Sequence, residues 1–329
     1  MKIALLVGGS SPEREISKRS GFAVYNALKE MEHEIIVIDP AYGRNQSDDI
    51  SKYFEEKDFA GISNKNYTET FQSELFSGID LAVIALHGKW GEDGTVQSLL
   101  ELKGIKYTGS KILASAAAMD KNMSKILFRH FKVGTAKWIT ASPEGYEPKL
   151  LSKIIKKDLG FPCVIKPNDQ GSTVGLTICK NKNQVEEALA LAFKFSDKAL
   201  IEKYIPGREL TVAILEKEPL PVLEIKPKHG VYDYECKYTS GMSEYEVPAK
   251  LPDKVKKKLQ AQALLAFNSL GCEGYARVDF RLNKKNEIFC LEVNSLPGMT
   301  ATSLVPKMAK AAGISFQELL DRIMKAALK

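Results

Sequence analysis

Near the C-terminus two apolar runs carry polar side chains at alternate positions, Arg277 and Asp279 in the first and Glu292 and Asn294 in the second. In an extended strand alternate side chains share a face, so each pair points one way. Two carboxylates and an amide oxygen beside a guanidinium form a hard-oxygen donor set. Such a set suits Mg²⁺ held together with nucleotide phosphates. A salt bridge between two edge strands is the plainer explanation. The flanking Tyr275, Phe280, Ile288, Phe289 and Leu291 weigh against it, because they make both strands internal.

Three further groups have chemistry in them. Lys166 ends an apolar run and is followed by Asp169-Gln170-Gly171-Ser172-Thr173-Val174-Gly175. Glycines around hydroxyl residues let backbone N–H groups approach an anion closely, and the lysine adds charge. The stretch matches neither a P-loop nor G-x-G-x-x-G, and a plain hairpin turn explains it equally well by itself. Glu13, at a helix N-terminus after Gly8-Gly9-Ser10-Ser11-Pro12, suits recognition of an ammonium group near a carboxylate. His87 follows an apolar strand, where a ligand-facing loop begins, although a lone histidine is more often structural. The tyrosine-rich stretch 228–247 fits neither helical nor strand period and is expected to be one long loop, a lid or a disordered segment.

Taken together these strings resemble the D-alanine:D-alanine ligase family of the ATP-grasp superfamily along nearly the whole chain. GYARVDF followed by LEVNSLPGMTATSLVP is the longest and most specific match, and HGKWGEDGTVQ is close to the family's pattern apart from Lys89 and Trp90. The resemblance implies that Asp279, Glu292 and Asn294 hold two Mg²⁺ ions, with Mn²⁺ able to substitute. It assigns Arg277 and the Gly298 N–H to the oxyanion of the intermediate, and Ser303 and Leu304 to the carboxylate of the second amino acid. Lys121, Lys166 and Lys237 go to the phosphates. Glu202, Lys203, Ile205 and Leu291 surround the adenine, with Glu209 on the ribose. Glu13 would take the amino group of the first D-alanine, with His87 in the same pocket. Ser172, Tyr238 and Glu13 would form a hydrogen-bonded triad. Tyr238 favours a dipeptide over a depsipeptide product, while Cys236 stands where alanine is more usual. The implied reaction starts with attack of a D-alanine carboxylate on the γ-phosphate of ATP. The resulting acylphosphate is then opened by a second D-alanine, giving a peptidoglycan precursor. The resemblance further implies a homodimer. Rival readings are a D-lactate or D-serine ligase, a regulatory nucleotide binder and a dinucleotide oxidoreductase.

The elements that must position these residues alternate between strand and helix signals, which implies α/β with α+β organisation. An N-terminal parallel-sheet domain over 1–115 is expected, then a central ATP-grasp subdomain over 116–200 and a C-terminal catalytic domain over 201–329 with a lid at 228–247. The run Pro162 to Lys166 and the run Gly175 to Cys179 read as a hairpin, and Ala199 to Tyr204 as a strand leaving that unit. The length of 329 residues suits two or three domains, and 44% hydrophobic with 27% charged residues excludes disordered and fibrous classes. The net charge of +6 is thinly spread, and the lysines at 153–157 and 254–258 read as solvated helix faces rather than a nucleic-acid stripe. Five cysteines, Cys163, Cys179, Cys236, Cys272 and Cys290, are scattered without C-x-x-C spacing, which excludes a zinc or disulfide framework and points to a reducing compartment. MKIALLVGG reads as a first strand rather than a signal peptide, and no run reaches the roughly 18–20 apolar residues of a membrane helix. A cytoplasmic location is expected.

Overall fold

The computed structural model describes residues 1–228 and 241–329. Lys237 and Tyr238, two of the expected site residues, and most of the expected lid lie outside the described residues. The first sheet is built on β1 (Lys2–Leu6), whose apolar residues are buried on both faces. β1 pairs in parallel with β2 (Glu34–Ile38) on one side and β3 (Leu81–Ile84) on the other. The helix Arg14–Glu30 makes the crossover from β1 to β2 and buries Val24, Ala27 and Leu28. The core around this sheet also takes Leu304, Val305 and Met308, and Leu319, Leu320, Ile323 and Met324, from the last two helices, Leu304–Ala311 and Phe316–Leu328. The end of the chain is thereby fastened to its beginning.

The second sheet contains β4 (Trp138–Ala141), β5 (Cys163–Pro167), β6 (Thr177–Cys179) and β7 (Ala199–Lys203) in the order β4-β7-β5-β6, all antiparallel. The β5–β6 hairpin is as expected. β7 is a correction: it does not leave this unit but lies between β4 and β5. Ala199, Leu200 and Ile201 are all buried, so the strand has apolar surface on both faces and hydrogen-bond needs on both edges, which an interior position satisfies. Helices Pro148–Asp158, opened by a proline whose missing N–H does no harm in a first turn, and Val185–Phe193 supply Ile155 and Leu189 to this sheet's core.

The third sheet has the order β11-β10-β8-β12-β13, with β8 (Arg208–Leu215), β9 (Glu218–Pro219), β10 (Leu223–Pro227), β11 (Ser243–Glu246), β12 (Tyr275–Leu282) and β13 (Ile288–Asn294); β9 pairs with β8. β12 is internal as expected, whereas β13 is an edge strand whose outer side is covered, among the described residues, only by the segment at Gly134 and Thr135, a single bridge to Cys290. β11 corrects the expectation of one loop over 228–247. It is a four-residue edge strand, Ser-Glu-Tyr-Glu, held by backbone pairing to β10, and it contains too few apolar residues to show a period. The helix Asp253–Ser269 covers one face with Leu259, Ala263, Ala266 and Phe267; the opposite face carries the site residues of β12 and β13 and also joins the first core through Ala213, Leu223 and Tyr275. Among the described residues no helix is long and apolar enough to cross a membrane.

Candidate active site

Arg277 pairs in register with Asn294, and Asp279 with Glu292, on the adjacent strands β12 and β13. These two rungs lie at the junction of two cavities. Asp279 and Glu292 line the first, Arg277 and Asn294 the second, and Gly171 borders both.

The first cavity, about 940 Å³ including its solvent-open part, runs between the second and third sheets. Val164, Leu176, Ile178, Ile205 and Leu291 give it apolar walls, while Lys121, Lys166, Glu202, Lys203 and Glu209 bring charge. Lys166 Nζ donates to Glu202 Oε1 at 2.6 Å. Lys125 Nζ lies 2.8 Å from Glu202 Oε2 and donates to Thr135 Oγ1 at 2.6 Å. Burial alone would push the Glu202 carboxyl up, but the two ammonium groups outweigh it and hold it down at about 2. Lys121 opens the helix Lys121–His130, donates to the Gln170 carbonyl at 2.7 Å and lies 3.2 Å from Glu292 Oε2. It ties the glycine-rich loop to β13. Lys125 is not among the residues expected from the sequence, although it stands one helical turn after Lys121 in MDKNMSK and so shares its face.

Asp279 is held by four hydrogen bonds. Arg277 Nε and Nη2 donate to its two oxygens at 2.9 Å each, Thr211 Oγ1 donates to Oδ1 at 2.6 Å, and Asn294 Nδ2 donates to Oδ2 at 3.0 Å. The donor chemistry fits Mg²⁺: two carboxylates face each other across paired strands, and a half-turn of the Asn294 amide presents its oxygen beside them. The forked guanidinium on Asp279 shows that the carboxylate is already arranged around positive charge. Among the described residues no group of three or more histidine, cysteine or acidic side chains is placed to hold a metal ion, so the donor set here is two carboxylates and an amide.

The second cavity, about 1370 Å³ including open solvent, is lined by Glu13, His87, Ser172, Gly298, Ser303 and Leu304 with the Arg277–Asn294 rung. Ser172 Oγ donates to Glu13 Oε1. Ser172 and Thr173 take φ of 50° and 60°, left-handed backbone that non-glycine residues adopt at some cost, so the loop is bent to bring this hydroxyl to Glu13. A side chain on Gly171 would put its Cβ 2.6 Å from Glu13 Oε2, which explains the glycine there. His87 is buried: Nδ1–H donates to the Leu296 carbonyl at 2.9 Å, and Nε2 accepts from Ser20 Oγ at 3.0 Å. Burial pushes its pKa down, which favours the neutral ring with its proton on Nδ1. Glu92 lies in HGKWGEDGTVQ, yet nothing in that string singles it out beforehand. Its carboxyl accepts from Gly88 N at 2.7 Å and Leu296 N at 3.3 Å. Burial, reinforced by the charge of Glu13, raises its pKa to about 8. His87 and Glu92 together fasten the loop after β3 to the loop after β13. Ser303 stands just before the helix Leu304–Ala311, whose N-terminus therefore borders the cavity.

Two antiparallel sheets closing on a charged cleft, with a parallel sheet completing a second cavity beside it, define an enzyme of ATP-grasp architecture. The family model for the D-ala D-ala ligase N-terminus matches residues 2–110, and that for the D-ala D-ala ligase C-terminus matches 127–325. A D-alanine–D-alanine ligase of Pelotomaculum thermopropionicum is 41% identical, over 100% of this chain and 97% of the relative. One from Syntrophotalea carbinolica is 41% identical over 99% and 96%. The crystal structure of D-alanine–D-alanine ligase from Bacillus anthracis superposes with a TM-score of 0.80 at 36% identity, covering 100% of this chain and 97% of that one. The same enzyme complexed with ATP gives 0.79 at 34% identity, with the same coverage. The chain belongs to the D-alanine–D-alanine ligase family.

Proposed function

We infer that this chain is an ATP-dependent ligase that joins two D-alanine molecules into D-alanyl-D-alanine for peptidoglycan precursor synthesis, releasing ADP and phosphate. The observation that carries this conclusion is the pair of rungs on β12 and β13, which sets Asp279 and Glu292, lining the first cavity, side by side with Arg277 and Asn294, lining the second. A group passed from a nucleotide to an amino acid has to cross that junction.

ATP takes the first cavity. Its apolar walls, with Ile205 and Leu291, receive the planar base beside Glu202 and Lys203, and Glu209 accepts from the ribose. Lys121 and Lys166 sit on the phosphates. Mg²⁺, two ions in this reading and replaceable by Mn²⁺, neutralises phosphate charge when held by Asp279, Glu292 and Asn294. The first D-alanine binds with its ammonium on Glu13, its carboxylate facing the γ-phosphate. Ser172 keeps Glu13 in place. Attack of that carboxylate gives an acylphosphate, and the amine of a second D-alanine, whose own carboxylate lies at Ser303 and Leu304, displaces phosphate. Arg277 and the Gly298 N–H stabilise the oxyanion of that step. Lys237 and Tyr238 belong to the same reading, as a phosphate cation and as the third member of the Ser172–Glu13 triad. We further propose a cytoplasmic homodimer; the ATP requirement and the family likeness support it.

Phosphate release from ATP with Mg²⁺ is expected to require D-alanine, to be absent with L-alanine alone, and to coincide with a dipeptide by mass detection. An ester product from D-alanine with D-lactate, formed in preference to the dipeptide, would assign the chain to the depsipeptide branch instead.

A further inference from the structure

Arg281 stands two residues after Asp279 on β12, on the same strand face, and lines the first cavity. Its guanidinium is spent on the turn joining β7 to β8 and on the start of β8 itself. Nε donates to the Ile205 carbonyl at 3.1 Å and Nη2 to the Gly207 carbonyl at 2.9 Å. Nη1 donates to Glu209 Oε2 at 2.9 Å, directly across the strand pair. The same group lies 5.9 Å from the centre of the Tyr204 ring. Its side chain is only 13% exposed and that of Glu209 16%, so little solvent competes for these bonds. The turn itself is tight. Gly207 has φ of 142° and packs so closely that a Cβ would fall 2.0 Å from the Leu282 carbonyl oxygen.

We propose that Arg281 is a positioning residue for the nucleotide sugar: it fixes the Glu209 carboxylate and the peptide planes of 204–207 in one arrangement, so that recognition of the ribose hydroxyls depends on it. The guanidinium suits this task better than an ammonium group. It stays charged, is planar, and reaches two carbonyls and a carboxylate from one rigid fork. Lysine at this position can replace one of the three bonds. Methionine can fill the space and replace none. The proposal rests on the reading that the first cavity takes ATP with Glu209 at the ribose.

The test compares ATP with 2′-deoxy-ATP in the dipeptide-forming reaction of the full-length chain. Wild type is expected to show a KM for 2′-deoxy-ATP above that for ATP by on the order of tenfold, the contribution of one hydrogen bond to a charged group. Arg281→Met should raise KM for ATP about tenfold, leave KM for 2′-deoxy-ATP nearly where it was, and so bring the ratio close to one. The main effect falls on KM for nucleotide rather than on kcat or KM for D-alanine. Arg281→Lys should recover part of the ratio. Glu209→Gln should collapse the ratio too, and the double variant should be no worse than either single one, because both act through one carboxylate. A ratio unchanged in Arg281→Met, even with a lowered melting temperature, overturns the proposal, as does a wild type that does not distinguish the two nucleotides. Should Arg281→Met not fold, the lysine and Glu209→Gln variants decide between the same two outcomes. Wild type that turns over neither nucleotide with D-alanine would instead sink the ligase reading.

Discussion

Asp279→Asn is expected to lower kcat for dipeptide formation by about a thousandfold, equivalent to about 4 kcal/mol of transition-state stabilisation. The carboxylate sits where three demands meet: it faces Glu292 across the strand pair, holds both nitrogens of the Arg277 fork, and lines the cavity assigned to the phosphates. Asparagine keeps the shape but removes the charge. It would leave Arg277 with a neutral partner and the metal position with one carboxylate instead of two. The fold should suffer less, on the order of 1–3 kcal/mol, because a neutral amide oxygen can still accept from Thr211 and Arg277. Steady-state phosphate release and thermal unfolding on the same preparation separate the two effects. Activity within tenfold of wild type would remove Asp279 from the chemistry.

Glu202→Gln has the second large effect, and it falls first on stability. Lys125 and Glu202 are 0% and 4% exposed, and Lys166 approaches the same carboxylate. Removing the negative charge leaves two buried ammonium groups facing a neutral amide, a loss of about 3–5 kcal/mol. The pH dependence gives an internal check. Glu202 titrates in the fold at about 2, below its ordinary 4.5, because the two lysines outweigh the upward push of burial. An acid with a depressed folded pKa contributes its stability in full above the unfolded value and loses it as pH falls toward the folded one. The contribution, on the order of 3 kcal/mol from a shift of that size, should therefore be complete at pH 6 and fade between 4.5 and 2. Urea unfolding of wild type and variant at pH 7 and pH 3 measures it. The gap in unfolding free energy should narrow at pH 3; an equal gap at both would mean that the carboxylate is not held as an anion.

What the chain revealed in advance follows from which interactions are local. β1, β5, β12 and β13 are apolar runs long enough to announce themselves, and the two-residue spacing of Arg277 and Asp279 and of Glu292 and Asn294 already set each pair on a common face. Strand order is a different matter. β7 has the same apolar character whether it leaves the second sheet or fills its middle, and only pairing with β4 and β5 tells which. β11 holds one aromatic among three polar residues and owes its existence to the edge of β10. Helical spacing over Ser315 to Ala327 announces the helix Phe316–Leu328 but not that its partner is the first sheet, and the short helix Leu304–Ala311 before it does not announce itself at all. The supporting residues were hidden for the same reason. Lys125, Glu92 and Arg281 look like ordinary charged residues until Glu202, Leu296 and Gly207, each on a distant segment, arrive beside them.

The transfer of oxygen tests the central claim, that a carboxylate and a γ-phosphate meet at the junction of the two cavities. D-alanine carrying ¹⁸O in both carboxylate positions, incubated with ATP and Mg²⁺, should yield phosphate bearing one ¹⁸O for each dipeptide formed. The other label of that residue should stay on the new peptide carbonyl, since the attacking oxygen leaves with phosphorus when the second amine enters. Dipeptide made with unlabelled phosphate, or label recovered in AMP, would contradict the account.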